Sequence, residues 1–205
     1  MGTQDKAKHL ATLYLEDLAD FVVETVDAHF GFSRYAEQLG RSAQSFDELY
    51  DALQSNPTYI DDLLFELLDK KAKQFQPDLV LVSVPFPGNL YAAFRLAQWF
   101  KMNYPKTKIA LGGGFANTEL RSLSEVRVFE FFDYVTLDDG ELPVELLIQN
   151  LNSEKPIYKR TFLLENGQVV YKNDAPQADY KMSQVGTPDY SDLLLDQYIS
   201  VIEVA

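Results

Sequence analysis

The 205-residue chain has no cysteine, two histidines and one tryptophan. Without thiolates it forms no disulfide and ligates no iron–sulfur cluster of its own. His9 and His29 are too few for a multi-histidine metal site. Cations are also scarce. Eighteen Lys and Arg stand against 31 Asp and Glu, a formal net charge of −13. That balance opposes binding to nucleic acid or to an anionic membrane, because both need a basic face. No apolar run approaches the ~20 residues of a membrane-spanning helix. The opening "MGTQDKAKHL" lacks the apolar stretch of a signal peptide. Lys6 stands where a myristoylation signal needs Ser or Thr. No internal repeat or low-complexity tract is visible. The expectation is a cytoplasmic protein that binds neither nucleic acid nor membrane. With 46% hydrophobic residues, it has enough apolar material for a packed core.

The first 76 residues read as helices. "LEDLADFVVETVDAHF" puts Leu15, Leu18, Val22, Val26 and Phe30 on one face, and Gly31 is the expected stop. "SFDELYDAL" carries a capping-box pattern in Ser45 and Glu48. "PTYIDDLLFELLDKKAKQF" begins at Pro57-Thr58 and ends in lysines, which suit the negative end of a helix dipole. From Pro77 the texture changes. "DLVLVSV" reads as a strand buried on both faces, as in a parallel sheet. "NLYAAFRLAQWFKMNYP" follows as a helix with Asn89 at its N-cap and Leu90, Ala93, Phe94, Ala97 and Phe100 in one stripe. "KIALGG" is a second strand, "TELRSLSEVRVFEFF" a less regular helix, "DYVTLDDG" a third strand and "ELPVELLIQNL" its helix. Such alternation predicts a parallel α/β sheet with right-handed crossovers. Beyond residue 151, "YKRTFLLENGQVVYKN" predicts a hairpin turning at Asn166-Gly167. "DAPQADYKMSQVGTPDYSDLL" reads as a connector. The final "YISVIEVA" is apolar and β-like with no polar ending, which suggests a chain cut inside a longer protein.

Open α/β sheets bind ligands beyond the carboxyl ends of their strands. Three loops belong there: "SVPFPGN", "GGGFANT" and "LDDGE". The first is stiffened by Pro85 and Pro87. The second, Gly112 to Gly114, is either a ligand loop rich in backbone amides or a tightly packed turn. It matches neither the dinucleotide glycine fingerprint nor a P-loop. The third carries Asp138, Asp139 and Glu141, acids that repel phosphate but accept hydrogen bonds. No catalytic triad is assemblable. Asp61/Asp62 and Asp138/Asp139 read as caps or solvated faces. Trp99, Phe129, Phe131, Phe132 and Tyr134 read as packing residues.

In combination, these motifs resemble the cobalamin-binding domain on the N-terminal side of radical SAM enzymes. Pro77-Asp78 opens the first strand and Ser83 closes it. Gly112-Gly113 with Thr118 looks like that family's glycine loop, and Asp133-Tyr134-Val135 with Asp139-Gly140-Glu141 looks like its acidic loop. The resemblance covers roughly residues 77–200. It implies that Ser83, Val84 and Pro85, then Gly112, Gly113, Gly114, Phe115 and Thr118, then Asp139, Gly140 and Glu141 offer amides and hydrogen bonds to a cobalamin tail. It further implies a radical SAM domain after residue 205 as the partner of this one. The 4Fe–4S cluster and S-adenosylmethionine would belong to that domain, so this piece is not catalytic alone. The departures are specific. The Cys-x-x-x-Cys-x-x-Cys motif is absent, "LDDGE" replaces "GEGE", and the family's first two strands are missing. "DAHFGF" falls short of Asp-x-His-x-x-Gly, the cobalt-ligating motif of one cobalamin class, because Gly31 is one place early. His29 therefore reads as a helix-terminal residue.

The expected fold is α/β, a partial Rossmann-like or flavodoxin-like parallel sheet with an N-terminal helical region and a C-terminal β-hairpin. The expected divisions are 1–76 helical, 77–151 cobalamin-binding-like core, and 152–205 hairpin and connector toward the radical SAM domain. Two other readings stay open. One is a degenerate α/β module that binds no cofactor and serves protein interaction or substrate recognition. The other is a stand-alone nucleotide-binding protein.

Overall fold

The computed structural model describes residues 2–32, 36–37, 39, 45–191 and 193–194. The segment Tyr198 to Ala205, read above as a β-like ending, lies outside them. Two compact units are present, divided after Ala175.

In the first unit, helices α1 (Thr3–Thr25), α2 (Asp47–Gln54) and α3 (Tyr59–Phe75) precede the sheet. Strands β1 (Leu79–Ser83), β2 (Lys108–Gly112) and β3 (Tyr134–Thr136) then alternate with α4 (Leu90–Asn103) and α5 (Gly114–Glu119). Helix α6 (Glu141–Asn150) leads into β4 (Thr161–Glu165) and β5 (Gln168–Lys172). The sheet runs in the order β1-β2-β3-β4-β5. The first three strands are parallel, and β4 and β5 join antiparallel. The fold is thus α/β, a partial Rossmann-like sheet extended by the hairpin. Asn166 and Gly167 both adopt positive φ, 50° and 76°, as a type I′ turn requires.

Alternation along the strands sends side chains to two layers. Val80, Val82, Ile109, Leu111, Val135 and Phe162 pack with α2, α3 and α4 in the main core. Leu79, Ala110, Tyr134, Leu163 and Val170 face the other way, onto Leu147 of α6 and Tyr158. The predicted stripe of α4 is buried throughout, and Trp99 is buried beside it. In the second unit, Pro176–Ala205, the described residues include one 3-10 turn, Met182–Gln184, and no other helix or strand. No described helix is long and apolar enough to cross a membrane.

Several local expectations are corrected. Helix α1 stops at Thr25, six residues before Gly31, because the Val22 carbonyl accepts from both Val26 and Asp27 and the Asp27 carboxylate then accepts from the His29 amide. That local side-chain bond draws the chain into a turn, so His29 lies past the helix end. None of α1's residues is buried, so its apolar face is not part of the core. Ser45 caps Asp47, not Glu48. Phe46, its ring tilted against that of Phe94 with centres 5.2 Å apart, takes the N-cap position instead. Asn89 sits at the N-cap of α4 without a side-chain bond there, since a 3-10 turn over Pro87–Asn89 already leads into the helix. The helix expected across 118–132 splits into α5 and a 3-10 turn at Val126–Glu130, whose Arg127 amide is capped by the Glu125 carboxylate. Strand β1 is an edge strand, and Leu81 is 49% exposed rather than covered on both sides.

Candidate functional site

Because β1, β2 and β3 are adjacent and parallel, the three predicted loops emerge side by side at one edge of the sheet. The first two are joined through their backbones. Ser83 is in register with Gly112. The Val84 amide donates to the Gly112 carbonyl at 2.8 Å, and the Phe115 amide donates to the Val84 carbonyl at 2.9 Å. Each glycine meets a different neighbour. A Cβ on Gly112 would lie 3.0 Å from Thr136 Oγ1. On Gly113 it would lie 2.8 Å from both the main-chain nitrogen and oxygen of Val84 and 2.9 Å from Ser83 Oγ. On Gly114 it would lie 2.9 Å from the Pro85 carbonyl oxygen. Gly113 also adopts φ +97°, a conformation that suits glycine alone. Close main-chain packing therefore accounts for Gly113 and Gly114, and the Thr136 side chain crowds Gly112.

The remaining predicted residues are dispersed. Val84 is buried between the loops, whereas Ser83 and Pro85 are exposed. Phe115 points into the main core. The Thr118 hydroxyl bonds back to the carbonyls of Gly114 and Phe115 within its own short helix. Asp139, Gly140 and Glu141 are exposed, and nothing lies within 4 Å of a Cβ placed on Gly140. Phe86, between the first two strands in sequence, is 70% exposed at this edge.

Residues outside the predicted set hold the third loop. Asp138, in the left-handed region at φ 61°, donates its backbone amide to the side-chain Oδ1 of Asn117 at 2.6 Å. Its carboxylate pairs with Arg121. The largely buried Arg160 donates to the carbonyl oxygens of Leu137 and Asp139 at 3.2 and 2.9 Å. Arg160 reaches this loop from the position just before β4, twenty-odd positions downstream, so no local spacing announces it. Asp133, read with the acidic loop, sits at the opposite end of β3. There it accepts from the Ile109 amide and pairs with Lys101 and Lys108 at 2.6 and 3.0 Å. Burial alone would push its carboxyl up, but these partners outweigh that and hold it below the usual carboxylate range.

A second constellation lies under α4. Arg95 and Asp61 are each 2% exposed and paired at 3.1 Å. Asp61 also closes the capping box of α3 with Thr58 and accepts from the Tyr91 hydroxyl at 2.9 Å. Burial pushes the Tyr91 hydroxyl up to about 12, so it remains a donor at neutral pH. The Arg95 guanidinium donates to the carbonyls of Leu53, Ala52 and Ser55, satisfying the end of α2. Its bonds are all to structural groups. A cavity of about 560 Å³ is lined by Phe46, Leu49, Phe94, Leu123 and Arg127 together with Phe115, one of the predicted site residues. Among the described residues, no group of three His, Asp or Glu is placed to hold a metal ion.

No protein-family model matches the chain, and a search of curated proteins finds no match.

Proposed function

We propose that this chain contains the cobalamin-binding-like domain of a radical SAM Fe–S oxidoreductase, and that the domain caps the catalytic barrel of its parent. The observation that carries this reading is the placement of the motif-bearing loops. Ser83, Gly112-Gly113 and Asp139-Gly140-Glu141 follow three neighbouring parallel strands in the order that the resemblance requires.

Cobalamin itself fits poorly between the first two loops. The space beside Gly113 and Gly114 that a side chain would take is filled by the main chain of Val84 and Pro85. Two backbone hydrogen bonds close the same gap. Capping is therefore favoured over presentation of the cofactor, and no chemical step is assigned to the residues here. Exposed Phe86, Pro85 and Ser83, with Asp139 and Glu141 alongside, form the surface that would meet the barrel.

The cluster and S-adenosylmethionine would be held by residues after Ala205. Reading the coding sequence beyond that position tests the proposal. Cys-x-x-x-Cys-x-x-Cys within the next stretch is the expected result, and a stop codon directly after Ala205 would overturn it.

A further inference from the structure

Helix α1 is the largest element that the core does not use. Among the described residues none of its side chains is buried. Tyr14, Phe21 and Leu10 are 70%, 61% and 54% exposed, and Leu15 and Leu18 are exposed as well. At 3.6 residues per turn, these side chains and Ala7, Ala11 and Val22 fall in one stripe roughly 140° wide. A solitary helix of this kind is marginal in water, so the stripe calls for a cover.

Two asymmetries along α1 identify that cover. The first is size. Small residues, Ala7 and Ala11, occupy the stripe near the N-terminus, and Leu18 and Phe21 occupy it near the C-terminus. The second is charge. Lys6, Lys8 and His9 lie in the first half, with Asp5 the only acid there, whereas Glu16, Asp17, Asp20 and Glu24 fill the second half with no cation. This distribution largely opposes α1's own dipole, which favours acids at the start and bases at the end. Both asymmetries are resolved by a second helix with the same sequence running the other way.

We propose that α1 pairs antiparallel with α1 of a second copy of this chain, the helices level at position 16, next to Leu15. In that register Ala11 faces Phe21 of the other copy, Ala7 faces Thr25, and Tyr14 faces Leu18. Small residues thus receive large ones, as in other antiparallel helix pairs with interlocking seams. The basic half of each helix lies along the acidic half of its mate, and the two dipoles oppose. The pairing is independent of the role of the strand-end loops.

Because the chain has no cysteine, engineered ones report geometry without interference. Sedimentation of the intact chain is expected to show a concentration-dependent dimer. Phe21→Asp should weaken it at least ~100-fold while leaving the unfolding midpoint of the body unchanged, since α1 lies outside the core. Under mild oxidation Leu15→Cys should form a covalent dimer with itself. Ala7→Cys should not, but an equimolar mixture of Ala7→Cys and Thr25→Cys should. A monomer at all concentrations, a dimer indifferent to Phe21→Asp, or Ala7→Cys linking to itself as readily as Leu15→Cys would each overturn the proposal.

Discussion

Gly113 makes the most stringent demand on residue type at the strand-end edge. Its φ of +97° and the Val84 main chain 2.8 Å from a would-be Cβ penalise any side chain twice, by torsion and by overlap. Gly113→Ala should therefore cost more than about 2 kcal/mol in chemical denaturation. Gly140→Ala is the control. That position has φ −81° and open space around it, so the same change should cost less than about 1 kcal/mol. Asp133 supplies a pH-dependent test at the same scale. Its folded-state carboxyl is held below its unfolded value, so it contributes stability above about pH 4 that is lost as pH falls through the folded value. The stability difference between the native protein and Asp133→Asn should stay constant from neutrality to about pH 5 and shrink in more acid solution. Thermal melts across that range would check it; a difference independent of pH down to unfolding would contradict the ion-pair account.

At the scale of elements, Arg95 fastens the helices before the sheet to the sheet's own helix. It serves the last carbonyls of α2 and the N-terminal cap of α3 from within α4. Arg95→Met leaves Asp61 charged and unpaired in the interior, and should cost about 3–5 kcal/mol. Adding Asp61→Leu should recover part of that loss, which a double-mutant cycle in urea would measure. Neither partner was legible from spacing. Arg95 interrupts an apolar stripe that otherwise predicts α4 well, and Asp61 looks like half of a solvated acidic pair, because a contact across 34 positions leaves no periodic trace. Elements with local causes were legible: the apolar run of β2, the helix start at Pro57-Thr58, and the Asn166-Gly167 turn. Those governed by distant contacts were not. Phe46 shifts the start of α2 by packing on Phe94, and β1 becomes an edge strand through the topology of the whole sheet despite its apolar composition. The strand-end site was legible as three adjacent loops. Its fastening by Asn117, Arg121 and Arg160 was not, since Arg160 arrives from just before a strand beyond α6.

At the scale of the whole molecule, the acidic chain presents one sheet whose parallel half ends in loops that share main-chain contacts and whose antiparallel half buttresses the last of them. The glycines that first suggest a ligand loop are spent on holding the first loop against the second. A rigid edge of this kind suits contact with another domain. As proposed, the parent would be a radical SAM enzyme, and this domain would cover its barrel without gripping a cobalamin tail. The most direct measurement is S-adenosylmethionine cleavage by the full-length protein, anaerobic and cluster-loaded, with and without added cobalamin. The account predicts 5′-deoxyadenosine on reduction, in equal amount whether or not cobalamin is present, with no change in the cobalamin spectrum. No 5′-deoxyadenosine from a protein with its cluster in place would contradict the first statement, and a cobalamin spectrum shifted by stoichiometric protein would contradict the second.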